Sequence, residues 1–99
     1  MIISYGNRGT QDLAAKINSK SSRQTLPPEL WKLALKRLAF LDSVHSILDF
    51  RTAPLGYGWE ILKRERIGQF SVRINDQYKI CFRFEDGDCH DVEIVDYHS

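Results

Sequence analysis

The sequence predicts an α+β domain, with N-terminal helices packed on one face of a small, twisted, mainly antiparallel β-sheet. Helical apolar spacing is confined to the first half of the chain. Period-two alternation takes over from Trp59, and an Asp-Gly pair near the C-terminus marks a tight hairpin. A length of 99 residues gives room for one domain, residues 1–99, around one core. With 42% hydrophobic and 27% charged residues, the composition is that of a globular chain.

Met1 to Tyr5 reads as a short strand, and Gly6-Asn7-Arg8-Gly9 as a turn. Thr10 is the expected N-cap of a helix running through Leu13, Ala14 and Ile17, with Asp12 in its first turn. The polar run from Asn18 to Thr25 lacks a pattern and is expected to be fraying helix and loop. Pro27-Pro28 then opens the strongest helix. Trp31, Leu35, Leu38 and Leu41 recur at helical spacing as a core stripe beside Ala34, and Lys32, Lys36 and Arg37 are expected to face outward. A second short helix is expected around Ile47 and Leu48, ended by Pro54, Gly56 and Gly58.

Several function classes are excluded or disfavoured. No apolar run approaches the roughly 20 residues that span a bilayer. The N-terminus has no basic region before an apolar stretch and no cleavage site, so a cytoplasmic location is expected. Cys81 and Cys89 fit neither a zinc site nor a disulfide framework and are expected to be reduced. No metal and no cofactor are called for. The net charge of +1 conceals an asymmetry: residues 63 to 83 are rich in Lys and Arg, whereas residues 84 to 98 carry six acids and no Lys or Arg. Any polyanion must therefore be held locally rather than by a field over the whole molecule.

Side-chain parity fixes the expected register of the sheet. Phe70, Val72 and Ile74 share the core face with Tyr78, Ile80, Phe82 and Phe84 if Asn75-Asp76-Gln77 forms a three-residue loop. That loop sets Arg73 opposite Lys79 on the other face. Pairing Ile80 with Ile94 and Phe82 with Val92 then sets Lys79 against Val95 and Arg83 against Asp91, and brings Tyr97 out beside Lys79. Like charges facing each other across a strand pair are unfavourable by some tenths of a kcal/mol. Two readings stay open: two cations pointing apart into water, or a gap for an anion such as phosphate.

The second reading suits RNA phosphodiester cleavage. A ribose 2′-hydroxyl loses its proton and attacks in line, and negative charge builds on the phosphoryl oxygens, where Arg73 and Lys79 could stabilise it. An aromatic ring such as Tyr97 can stack on an unpaired base. A lysine crowded by cations can serve as base, and a histidine near the scissile bond can donate the leaving proton.

The stretch Leu62-Lys63, the run Gly68-Gln69-Phe70-Ser71-Val72-Arg73-Ile74-Asn75-Asp76-Gln77-Tyr78-Lys79-Ile80-Cys81-Phe82 and the ending Asp91-Val92-Glu93-Ile94-Val95-Asp96-Tyr97-His98 resemble the HigB branch of the RelE-like toxins. The resemblance is close over about the last 40 residues, and the preceding helices agree in order and length. It implies the RelE-like fold and a type II toxin, a ribosome-dependent mRNA endoribonuclease that inhibits translation, with a helix-turn-helix antitoxin as partner. By position, Lys63 and Arg73 match the family's cations on the scissile phosphate, and Asp96, Tyr97 and His98 its C-terminal functional triplet. Lys79 stands where the family usually has arginine, which keeps a cation and loses the two-pronged fork. Arg66, and with it Arg64, is expected to hold the RNA backbone. The alternative is a module of the same fold that has weakened as a catalyst and still binds RNA or antitoxin.

Overall fold

The computed structural model describes residues 1–97. Three α-helices come first: α1 (Arg8–Ala14), α2 (Lys20–Thr25) and α3 (Trp31–Ser43). Four strands follow, β1 (Glu60–Ile61), β2 (Gln69–Arg73), β3 (Tyr78–Glu85) and β4 (Asp88–Asp96), all antiparallel in the spatial order β1-β2-β3-β4. The expected α+β class is what the chain adopts. Among the described residues no helix is long and apolar enough to cross a membrane.

The helix boundaries depart from expectation: α1 ends at Ala14, short of Ile17, and two other departures have clear causes. Asn7, not Thr10, caps α1, its side-chain oxygen accepting from the Thr10 amide at 2.8 Å. The Thr10 hydroxyl instead accepts from the Ile94 backbone N–H at 2.9 Å, inside the core. Thr10→Val keeps the shape and leaves that buried N–H unpaired. Its cost should be about 1–3 kcal/mol, read as a shift in the urea midpoint. The polar segment expected to be loop forms α2, because Ser19 and Ser22 cap each other: each backbone N–H donates to the other's hydroxyl. Such reciprocal capping supports a helix that apolar periodicity does not announce. Gly9 lets α1 and α2 meet, since a Cβ there would overlap Thr25.

Pro28–Leu30 form a 3-10 turn ahead of α3, and Ile47–Thr52 form another after it. In the latter, Ile47 and Leu48 are exposed and Phe50 is the buried anchor. Its ring stacks on Trp59 at 4.8 Å and on Phe82 at 5.7 Å, and Trp59 continues the stack to Phe70 at 5.1 Å. Leu13 of α1 and Ala34, Leu38 and Leu41 of α3 belong to the same core as Val72, Ile80, Phe82, Val92 and Ile94 of the sheet and Ile74 just beyond β2. Burying each large apolar side chain contributes about 1.5–3 kcal/mol. The opposite parity of β2 and β3, which includes Ser71, Arg73, Lys79, Cys81 and Arg83, forms the other face of the sheet.

The strand-like start pairs in parallel with β4. The Ile3 and Gly6 amides donate to the Cys89 and Val92 carbonyls, and the Cys89 and Val92 amides donate back to Met1 and Ser4. Cys81 and Cys89 are both buried free thiols. Burial pushes the Cys89 thiol up to about 12 and raises that of Cys81 as well.

The β3–β4 register agrees with expectation near the site and departs from it further out. Ile80 pairs with Ile94 and Lys79 with Val95, but Arg83 faces His90 rather than Asp91, because the register shifts between Cys81 and Arg83. The cause is packing. Cys89 and Val92 are both fully buried though three residues apart, so one extra residue must be absorbed between them. Asp91 takes up the irregularity with a φ of 53°, and the Arg83 Nε–H still donates to its carboxylate at 2.8 Å.

Candidate active site

The site is assembled around the β2–β3 hairpin. Asn75 organises its loop: the side-chain oxygen accepts from the Gln77 and Tyr78 amides at 2.9 and 2.8 Å. The resulting register sets Arg73 directly against Lys79. The Arg73 N–H donates to the Tyr57 carbonyl, away from β3, so Arg73 and Lys79 form a non-hydrogen-bonded pair. In such pairs the Cα atoms come within about 4.5 Å and the side chains lie closest together. Two cations are therefore held side by side on the face of the sheet away from the main core.

Tyr97 closes over this pair from beyond the end of β4. Its N–H donates to the Gln77 carbonyl at 2.9 Å, and its hydroxyl donates to the Asn75 carbonyl at 2.8 Å. The ring is pinned across the loop with the Lys79 ammonium 4.8 Å from its centroid. A cation over an aromatic face gains on the order of 0.5–1 kcal/mol where exposed. Arg73, Lys79 and Tyr97, with Gly58, Trp59, Glu60 and Ser71, line a concavity of about 480 Å³.

Lys63 joins from the neighbouring loop. It precedes the 3-10 turn Arg64–Arg66, and with Lys79 it lines an adjoining concavity of about 370 Å³. Lys79 borders both spaces, so the expected cations Lys63, Arg73 and Lys79 form one strip. Arg64 is exposed in this turn with a φ of 59°. Arg66 is turned inward: its guanidinium pairs with Glu93 at 2.8 Å and donates to Gln69 at 3.0 Å. The Glu93 hydrogen bond raises the Arg66 pKa further, so this charge is permanent and already partnered.

Asp96 does not join the strip by the pleat. It pairs with Tyr78, and so shares the strand parity of Ile94 and Ile80 rather than that of Val95 and Lys79. Its carboxylate accepts from Gln77 Nε2 at 2.9 Å, at the rim of the hairpin loop. His98 lies outside the described residues. Near Arg73, Asp76 reaches the guanidinium at 3.7 Å from a fully exposed position, a contact worth little. Among the described residues, no three His, Cys, Asp or Glu side chains cluster as metal ligands do.

Sequence reasoning missed Arg37, Tyr57 and Glu60. Arg37, expected to face out, is buried in α3. Its Nε–H donates to the Arg73 carbonyl at 3.0 Å, and its guanidinium lies 4.0 Å over the Tyr57 ring. Spacing could have found it, since Arg37 stands three residues after Ala34 and four before Leu41, on the buried stripe. Glu60 lines the wall beside Ser71, whose hydroxyl lies 3.5 Å from its carboxylate. The pairing of Glu60 with Ser71 in β1–β2 puts it there, and no local signal marks so short a strand.

A larger concavity, about 640 Å³, lies elsewhere between the N-terminal segment and α3, walled by Ile2, Tyr5, Leu35 and Leu38. Its lining is mainly apolar, and it contains none of the site cations.

Comparison with known proteins bears on the family and the fold. Residues 11–98 match the family model of HigB-like toxins, described as the RelE-like toxin of the type II toxin-antitoxin system HigB. Among curated proteins, an uncharacterised protein of Haemophilus influenzae is 27% identical over 74 residues, covering 75% of this chain and 71% of that protein. Among solved structures, the YoeB-YefM complex from Staphylococcus aureus contains a chain similar in fold, with a TM-score of 0.61 at 17% identity, covering 100% of this chain and 99% of that one. The chain belongs to the HigB-like family of RelE-like toxins. It is a toxin of a type II toxin-antitoxin system with endoribonuclease activity.

Proposed function

We propose that the protein, acting as a single domain over residues 1–99, cuts mRNA on the ribosome without a metal ion, by attack of a ribose 2′-hydroxyl on the adjacent phosphate. The supporting observation is the facing of Arg73 and Lys79 across β2–β3, with Tyr97 above Lys79 and Lys63 on the adjoining wall. The close pairing of like charges disfavours the empty site and favours a bound anion. As charge grows on the non-bridging oxygens, Arg73 and Lys79 stabilise it and Lys63 supplies a third cation. The ring of Tyr97 offers a platform for an unpaired base. Family resemblance adds Asp96 and His98 to this set, with His98 able to protonate the leaving 5′-oxygen. Arg64, exposed at the mouth, grips the RNA backbone, and Arg66 contributes to the same basic turn. The reading places the protein in the cytoplasm with translating ribosomes, opposed by a helix-turn-helix antitoxin.

The chemistry has a product signature. Attack by the 2′-hydroxyl leaves a 2′,3′-cyclic or 3′-phosphate on one fragment and a free 5′-hydroxyl on the other. An mRNA with a single 2′-deoxy nucleotide at the scissile position should resist cleavage on the ribosome, and naked mRNA should survive. Fragments with 3′-hydroxyl and 5′-phosphate ends would indicate attack by water and sink the mechanism, as would equal cutting of the deoxy substrate.

A further inference from the structure

Arg73 is the last residue of β2, beyond the reach of the two-residue strand β1. Both of its backbone groups would be left at an open edge, yet both are held. The N–H donates to the Tyr57 carbonyl, and the carbonyl accepts from Arg37 Nε at 3.0 Å. The two holders are joined: the Arg37 guanidinium lies 4.0 Å over the Tyr57 ring, and that ring meets Phe40 edge-on at 5.3 Å. Arg37 and Phe40 both belong to α3, so Tyr57 is seated between two side chains of one helix. Tyr57 and Arg37 are each less than a tenth exposed. Gly58 follows with a φ of 55°, a left-handed conformation that glycine adopts without strain, and lies beside the Arg73 side chain.

We infer that Arg37 and Tyr57 are positioning residues that fix the backbone of Arg73 and so aim its guanidinium at the scissile phosphate. This rests on the reading that Arg73 meets the phosphate. A strand end held at one peptide group is free to twist, and a twist at Cα is magnified along the arginine stem. The hairpin holds the next peptide, the Ile74 N–H donating to the Tyr78 carbonyl at 2.9 Å; Tyr57 and Arg37 add a hold from the helix layer, so the Cα–Cβ direction is fixed from both sides. A buried arginine serves this purpose because its planar guanidinium can donate along one edge while its face lies on an aromatic ring. Lysine has no such plane. A burial role alone would be met by leucine or methionine at position 37, matching its neighbours Ala34, Leu38 and Leu41 on the stripe.

The test is a double-mutant cycle on single-turnover cleavage of ribosome-bound mRNA, using the full-length toxin. Arg37→Met should lower the rate by about ten- to a hundred-fold, the scale of a small misplacement of a reacting group, with ribosome affinity changed less than about two-fold. Arg37→Lys, which keeps a donor, should recover part of the loss. In an Arg73→Lys background, whose flexible amine no longer depends on the fork's aim, Arg37→Met should cost no more than about three-fold. Losses that simply multiply would mean that Arg37 acts on the fold at large, and the inference is overturned. So would an Arg37→Met protein that cuts at the parental rate. If Arg37→Met does not fold, the same cycle is read with Arg37→Lys, with the ordering of the Arg73 Nε–H followed by NMR. An unaltered Nε–H signal then counts against the relay, and its loss of order supports it. Arg73→Ala separates the two levels of argument: full cleavage by that variant defeats the site reading itself, whereas loss in Arg73→Ala with none in Arg37→Met defeats only the relay.

Discussion

Arg73→Ala should abolish RNA cleavage and leave the protein folded. The expected loss is at least about a thousand-fold, or about 4 kcal/mol of transition-state stabilisation, the scale of removing one charge-stabilising group from a preorganised site. Stability should hardly change. The side chain is exposed, and its ion pair with Asp76 is long and solvated. The contacts that secure this residue are made by its backbone to Tyr57 and Arg37, and alanine keeps them. Removing one of two facing cations also relieves repulsion with Lys79. The melting temperature should therefore stay within about 2 °C of the parent or rise slightly. A fall of many degrees, comparable to a core deletion, would make Arg73 structural and remove it from the site.

Lys79→Glu should also silence the enzyme, by a different route. A carboxylate opposite Arg73 would form a cross-strand ion pair, favourable to the hairpin by some tenths of a kcal/mol. The same pair would neutralise the proposed phosphate site from within, so stability and activity should move in opposite directions. Lys79→Arg should keep or raise cleavage, by up to about ten-fold for about 1.4 kcal/mol, because the planar fork can hold two phosphate oxygens at once. It should also retain the position over Tyr97, since guanidinium stacks on aromatic faces at least as well as ammonium. Single-turnover rates of the three proteins, measured beside their urea midpoints, check both halves. A glutamate variant that cuts like the parent would show that Lys79 does not face the phosphate.

The hairpin that builds the site was legible because a strand's period of two leaves little freedom. Once Val72, Ile74, Ile80 and Phe82 must share the core, only a three-residue loop satisfies them, and Arg73 falls opposite Lys79. Tyr97 followed from the same parity through Lys79 and Val95. Legibility ended where the pattern was interrupted. The buried Cys89 behaves as a small hydrophobe and forces the irregularity at Asp91, which displaced the expected partner of Arg83 from Asp91 to His90. In α2 the stabilising signal is a pair of serines, not an apolar stripe.

The sequence by itself determined the α+β class, the β2–β3 register and the facing cations, because apolar periodicity and turn residues act over a few positions. Only the tertiary structure decided how the strip is held and bounded. Arg37 reaches Arg73 across 36 residues, and Arg66 reaches Glu93 across 27. The pleat, not the adjacency of Asp96 and Tyr97 in sequence, sets Asp96 on the other parity from Lys79. The physical reason is common to all three. Local patterns report which face a side chain takes within its own element, whereas the identity of its partner depends on which distant elements the core brings together, and a buried arginine differs from a solvated one only by that company.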